Sequence, residues 1–233
     1  MTVDSDWDDW LLRAVEEADP DGLAVWYLGC NGFIVKSSGG ATVFIDPYLG
    51  IGDPPRTVRM IPVPFDPSEV TEADAVLGTH EHTDHVHGPS QAPILAGTGA
   101  TYYTTDSGHD VIREEAWLDN WSVTDEQLEE VEEGDTVEIE DLTIHVEQAN
   151  DPDAEHPVSF VFEHDSGTFF HGGDARPGAF ESVGEAYDID VGVLAFGAVA
   201  MIDDSETGEP KRTKWYSDEN MIIEAANELQ LDT

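Results

Sequence analysis

This chain has almost no cysteine and very little positive charge. A single thiol, Cys30, rules out an intramolecular disulfide and fits a reducing compartment. Its place in the apolar run LAVWYLGC predicts a buried, inert side chain. Only 9 of the 233 residues are lysine or arginine. With so few cations no extended face can replace the counterions of a phosphate backbone, which excludes nucleic acid as a partner. Long apolar runs are missing too. No stretch approaches the roughly 18 residues that a membrane span needs, and the N-terminus MTVDSDWDDW lacks the basic and apolar regions of a signal peptide. The expectation is a cytoplasmic protein with no membrane partner. Internal repeats, low-complexity tracts and Pro/Ser linkers are also absent, so residues 1–233 read as one domain.

What the chain has in excess is acid. Aspartate and glutamate number 51, for a formal net charge of −42. They are spread along the chain among hydrophobic residues that make up 39% of it, enough for a substantial core. A solvated acidic surface of the haloarchaeal kind accounts for this pattern, with self-repulsion screened by salt. The fold is therefore expected to loosen at low ionic strength. A melting temperature that stays constant between about 0.1 M and several molar salt, a range over which screening changes strongly, counts against that expectation.

Hydrophobic periodicity and turn chemistry give the elements. Trp7, Trp10, Leu11, Ala14 and Val15 recur at helical spacing from Ser5, and Asp19-Pro20-Asp21-Gly22 ends that helix. Strands are expected at Leu23 to Leu28, Phe33 to Lys36 and Ala41 to Ile45, joined by hairpin turns into an antiparallel meander. A long Gly/Pro-rich loop then runs to about Pro67, a length that suits a pocket wall. Ala73 to Gly78 reads as a strand, Gly88-Pro89 opens a helical segment, Ala100 to Thr104 is a strand and Asp106 to Trp117 a helix, while Val123 to Glu133 is ambiguous. Further strands are expected at Thr136 to Ile139, Leu142 to Glu147, Val158 to Glu163 and Thr168 to His171, with a buried one at Val191 to Phe196. A last helix, Asp218 to Leu229, would start after Ser217 as N-cap. Hairpin blocks alternating with helices suggest an α+β layered fold of two sheets with helices outside.

The chemistry gathers at Thr79 to Val86, T-H-E-H-T-D-H-V, directly after the Ala73 to Gly78 run. His80 and His82 are two residues apart, so on extended backbone both project to one side and can grip one ion. Asp84 and His85 follow Thr83, where a turn would aim them at a second ion or at a water between. Neutral imidazole with carboxylate suits zinc, manganese or iron. The other histidines carry blander expectations: His109 and His145 as packing or surface residues, His87 and His164 as solvated, His171 as a neighbour of the site. Trp7, Trp10, Trp26 and Tyr27 read as core. Lys211-Arg212-Thr213-Lys214, the one basic run, is either a phosphate contact or an exposed loop.

HEHTDH matches the H-x-H-x-D-H signature of the metallo-β-lactamase superfamily, and His171-Gly172-Gly173-Asp174 is similar to its later strand-end motif. WYLGCNGFIVKSSGGATVFIDPY and DAVLGTHEHTDHVH resemble the L-ascorbate-6-phosphate lactonase-like branch. The resemblance implies a four-layer αββα sandwich with a metal site at one edge between the sheets. It makes His80, His82 and His85 ligands, Asp84 a ligand of the second ion or the residue that positions the attacking water, and Asp174 a ligand that bridges or completes the coordination. The segment Val146 to Val158 departs from the usual histidine. Asp151 is favoured there as the ligand, with His156 the rival. The fold is expected to be C-terminally short, because the chain stops where a final strand and its histidine would follow.

The resemblance, with these residue types, implies a metal-dependent hydrolase. A divalent ion, zinc or manganese, one or two of them and one favoured, brings the pKa of water to about 7 in the best-studied zinc case. Asp84 is the expected catalytic residue, holding that water and passing a proton to the leaving group. A small lactone or ester is the expected substrate. The alternatives are a phosphodiesterase on the same fold and a metal-binding domain impaired by the missing ligand. The expected partner is a small-molecule substrate, and self-association into a homo-oligomer stays open.

Overall fold

A computed structural model describes residues 4–50, 59, 61–197, 200–203, 207–213 and 216–231. The first helix, α1 (Trp10–Glu16), buries Leu11, Leu12 and Val15 and is shorter than its periodicity suggests. Trp7 and Trp10 are not core: they are 42% and 58% exposed and meet edge to face. The expected meander follows as β1 (Ala24–Gly29), β2 (Gly32–Lys36) and β3 (Thr42–Ile45), antiparallel throughout. Lys36 reaches back to the carbonyls of Val15 and Glu16 at 2.8 and 3.1 Å, placing a cation on the C-terminal end of α1.

The chain then changes from hairpins to crossovers. Strand β4 (Ala75–Leu77) lies parallel to β3, and α2 (Gly88–Thr98) leads to β5 (Thr101–Thr104), again parallel. The predicted helix from Asp106 to Trp117 divides at Ala116, whose φ is 52°, into α3 (Asp106–Glu114) and α4 (Trp117–Trp121). The ambiguous stretch resolves as a 3-10 turn and β6 (Leu128–Glu130), which completes a six-stranded sheet in the order β1-β2-β3-β4-β5-β6.

Hairpins β7 (Thr136–Ile139), β8 (Leu142–Gln148), β9 (Val158–His164) and β10 (Gly167–His171) sit within a residue or so of their sequence expectations. Helix α5 (Glu181–Ala186) carries the chain to β11 (Val191–Val193), parallel to β10, and the second sheet has the order β11-β10-β9-β8-β7. The expected buried strand from Val191 to Phe196 is instead a short edge strand, with Val191 55% and Phe196 60% exposed. A separate hairpin, β12 (Ala200–Asp203) and β13 (Pro210–Thr213), precedes α6 (Glu219–Glu228). The N-cap of α6 is Asp218, not Ser217: its carboxylate accepts from the amides of Asn220 and Met221, both at 3.1 Å. The basic side chains at 211–214 lie outside the described residues, as do residues 51–58 and 60 of the long loop.

Alternation of side chains makes four layers. Ile34, Phe44 and Val76 share a core with Leu12 of α1, Leu95 of α2 and Trp117 of α4. Their neighbours Val35, Val43, Ile45, Ala75 and Leu77 point the other way, onto Ile144, Val146, Phe160 and Phe162 of the second sheet. The outer face of that sheet, through Val161 and Phe170, packs on Phe180, Val183, Ala225 and Leu229 of the α5–α6 side. Each large apolar side chain buried in these layers is worth roughly 1.5–3 kcal/mol. Among the described residues no helix is long and apolar enough to cross a membrane.

Candidate metal centre

Several strand ends meet at one edge of the sandwich. Because β3, β4 and β5 run parallel, their C-terminal ends reach that edge together. Beyond Ile45 the chain turns at Asp46, which is fully buried with φ 42°. Aspartate tolerates this left-handed backbone because its short side chain bonds locally. At the end of β4, Gly78 lies against the Tyr102 hydroxyl, where a Cβ would collide. Glycine is needed there to bring Thr79 beside Asp46.

Asp46, a residue the sequence reading missed, fixes two histidines at once. Its Oδ2 accepts from His85 Nδ1 at 2.7 Å and from the Thr79 hydroxyl at 2.7 Å, and its Oδ1 accepts the Thr79 amide at 2.9 Å. With its own proton committed, the Thr79 oxygen accepts from His80 Nδ1, 3.0 Å away. These partners place a proton on Nδ1 of each ring and turn both Nε2 atoms into the centre. His82 works the other way round. Its Nε2 donates to the Asp153 carbonyl at 3.1 Å, leaving Nδ1 to face His80 Nε2 at 3.0 Å.

Two of the carboxylates, Asp151 and Asp174, come from the second sheet. Asp151 leaves β8 on a loop pinned by Glu81, which accepts from the Glu155 amide at 3.0 Å and from the Ser107 hydroxyl at 3.2 Å. Its Oδ2 lies 3.8 Å from His80 Nε2. Asp174 follows β10 through Gly173, whose φ is 56° and which sits so close to Thr79 that a Cβ would stand 3.3 Å from it. Asp174 Oδ1 accepts the Asn31 amide at 2.6 Å, and Oδ2 is 3.3 Å from His85 Nε2. His171, fully buried beneath, donates to the Asn31 carbonyl at 2.9 Å and so holds the turn that presents Asn31. The amide of Val158 donates to the Thr79 carbonyl at 3.0 Å, joining the two sheets at the site.

Electrostatics follow from this packing. Burial, reinforced by His85 and His82, pushes His80 well below the ordinary imidazole range, so it stays neutral, the form that binds metals. Burial alone would do the same to His85, but Asp174 and Asp46 outweigh it and raise His85 well above that range. Burial pushes Asp174 up, and His85 more than reverses this, keeping it ionised. Asp151 is raised, chiefly by burial.

The ligand atoms fall into two groups, each within 4.8 Å: His80, His82, Asp151 and Asp174, and Asp84, His85 and Asp174. Two observations fit them to a divalent ion. Two nitrogens on one tetrahedral zinc, each at its usual bond length, stand about 3.3 Å apart, and the facing lone pairs of His80 and His82 are 3.0 Å apart. His85 Nε2 is buried without a hydrogen-bond partner of acceptable geometry. All six predicted ligand residues are brought together, and Asp174 is common to both groups.

Other expectations are corrected. His156 is outside the groups, its side chain 66% exposed and paired with Asp106 at 2.6 Å. Cys30 is exposed, because the tight turn after β1 carries it out of the apolar run at φ 53°. Tyr27, on the sheet edge, is exposed as well. His87 is buried with its Nδ1 2.7 Å from Ser90 Oγ, and the largely buried His164 pairs with Asp141 at 2.9 Å. Arg59 is also buried, turned onto the carbonyls of Leu28, Tyr48 and Pro62.

The model of the β-lactamase superfamily domain matches residues 41–229, and the chain belongs to this superfamily, with the layered fold of its metallo-β-lactamase members. Among individual relatives, the probable L-ascorbate-6-phosphate lactonase UlaG of Escherichia coli O45:K1 is 26% identical over 236 residues, covering 82% of this chain and 66% of that protein. The chain thus spans a little under two thirds of its curated relatives' length. Of solved structures, the metallo hydrolase Igni18 from the archaeon Ignicoccus hospitalis superposes with a TM-score of 0.60 at 19% identity, covering 90% of this chain and 79% of its own. An isothiocyanate hydrolase from Delia radicum gut bacteria gives a TM-score of 0.58 at 16% identity, covering 88% and 80%. These structures share the fold.

Proposed function

We propose that this protein is a metal-dependent hydrolase of small lactones or esters, holding zinc or manganese at His80, His82, Asp151 and Asp174, with Asp84 and His85 completing a second position around Asp174. The observation that carries this reading is the convergence of three imidazole nitrogens, each aimed by a separate hydrogen bond on its far nitrogen. A divalent ion there would supply Lewis acidity and a water acidified towards neutral pH. In this reading Asp84, 29% exposed with Oδ2 3.9 Å from His85 Nε2, takes the proton of the attacking water and returns it to the leaving oxygen. The lactone choice draws on the lactonase relatives. The single thiol supports a reducing, cytoplasmic setting, and the acidic composition a halophilic one.

The test is turnover by protein stripped of metal and reloaded with zinc or manganese, on a small sugar lactone, an aryl ester and an aryl phosphodiester in turn. Lactone or ester hydrolysis that disappears in His80→Ala supports the proposal. Preferential phosphodiester turnover shifts the assignment to a phosphodiesterase. Stoichiometric ion binding with no turnover above His80→Ala marks an impaired metal-binding domain.

A further inference from the structure

The chain returns to the centre once more, from a direction the ligand motifs do not reach. Tyr216 lies just before a parallel bridge between Phe196 and Ser217, secured by the Gly197 amide on the Ser217 carbonyl at 3.2 Å. Its ring rests on Gly197, where a Cβ would stand 2.5 Å from Cδ2 and 2.7 Å from the tyrosine Cβ. Only glycine leaves room for the ring in that seat. The phenol is half-buried, its hydroxyl hydrogen-bonds Asp174, and Asp84 and Cys30 are close neighbours. It therefore stands beside both the shared carboxylate and the proposed proton acceptor.

We infer that Tyr216 is a further catalytic residue, whose hydroxyl turns from Asp174 to donate a hydrogen bond to the substrate oxygen on which negative charge develops. This rests on the hydrolytic reading above. Asp174 offers about four lone-pair sites. Asn31 already occupies one at 2.6 Å, and an ion in each group would take two more. The phenol contact is then the one most easily exchanged for a substrate. Other strong donors described nearby are engaged: Arg59 with three carbonyls, and Arg176 with Asp153 at 2.7 Å. Attack of water on an acyl carbon moves the carbonyl π electrons onto oxygen. Tyr216 meets that oxygen with a hydrogen bond, transfers no proton and leaves the leaving-group proton to Asp84.

Tyr216→Phe keeps the ring and removes only the hydroxyl. Its zinc affinity, titrated into chelator-treated protein, should stay within about twofold of wild type, while kcat on a lactone falls about 100-fold at nearly constant KM. A phosphonate monoester, a tetrahedral anion shaped like the hydrolytic transition state, should bind the zinc-loaded variant about tenfold more weakly. Unchanged kcat and phosphonate affinity overturn the inference. So does a tenfold or greater loss of zinc affinity, which would make Tyr216 a support for Asp174. If wild type turns over no lactone or ester, the proposed function fails by itself, and the phosphonate comparison still decides the role of Tyr216.

Discussion

Asp174→Ala should cost more than about 100-fold in ion affinity, since even residues one step removed from a metal typically cost 10–100-fold. This carboxylate belongs to both ligand groups. Its removal leaves three ligands in one group and two in the other. It also deprives the Asn31 amide of its acceptor and leaves His85 with Asp46 alone as a close carboxylate, apart from the more distant Asp84. The fold should persist, weakened by about 1–3 kcal/mol for the stranded amide. Asp151→Ala is the informative comparison, because it touches only the first group. Calorimetric titration with zinc, supported by metal analysis, should show both sites impaired in Asp174→Ala and one spared in Asp151→Ala if two ions bind. An Asp174→Ala variant that binds zinc like wild type would remove the basis for this centre.

Asp46→Asn, by contrast, changes no ligand, yet it should lower ion affinity about 10–100-fold. The carboxamide keeps an oxygen for the Thr79 amide but brings an N–H donor towards His85 Nδ1. The ring answers by moving its proton to Nε2, the atom needed for the ion. A pH signature accompanies this. In wild type His85 has a raised pKa, so an ion must displace a proton over the pH range up to that value, and affinity climbs as pH rises through it. Asp46 is one of the two groups that raise it, so in Asp46→Asn the climb should level off at lower pH. Zinc titrations across pH 6 to about 9 read both effects. Equal affinities and equal profiles would mean that Asp46 is only a structural residue.

The contrast between these variants reflects what a sequence can carry. His80, His82, Asp84 and His85 fall within six positions at a strand end, so local backbone geometry is enough to group them. The hairpins of β7 to β10 were legible for the same reason: their turn residues lie next to their strands. Asp46 lies 39 positions from His85, and Asn31 lies 143 from Asp174. Nothing local announces such partners, though an aspartate closing a buried strand before Pro47 was a signal available to be read. Exposure was misjudged where apolar residues sit on edges. Tyr27 and Val191 look like core by composition, but they lie on β1 and β11, the edge strands of the two sheets. Asp151 and His156 were separated only by the loop that Glu81 and Arg176 hold in place.

The bond from the Val158 amide to the Thr79 carbonyl gives the site a mechanical role. Ligands from the first sheet and carboxylates from the second meet across that seam, so an ion held there acts as a rivet between the layers. Neither sheet can peel away without releasing it. A ligand at a hundredfold excess over its dissociation constant adds about 2.7 kcal/mol to the folded state. Here that increment opposes separation of the two halves, so chelation should lower the melting temperature and broaden the transition as the layers lose their common fastening.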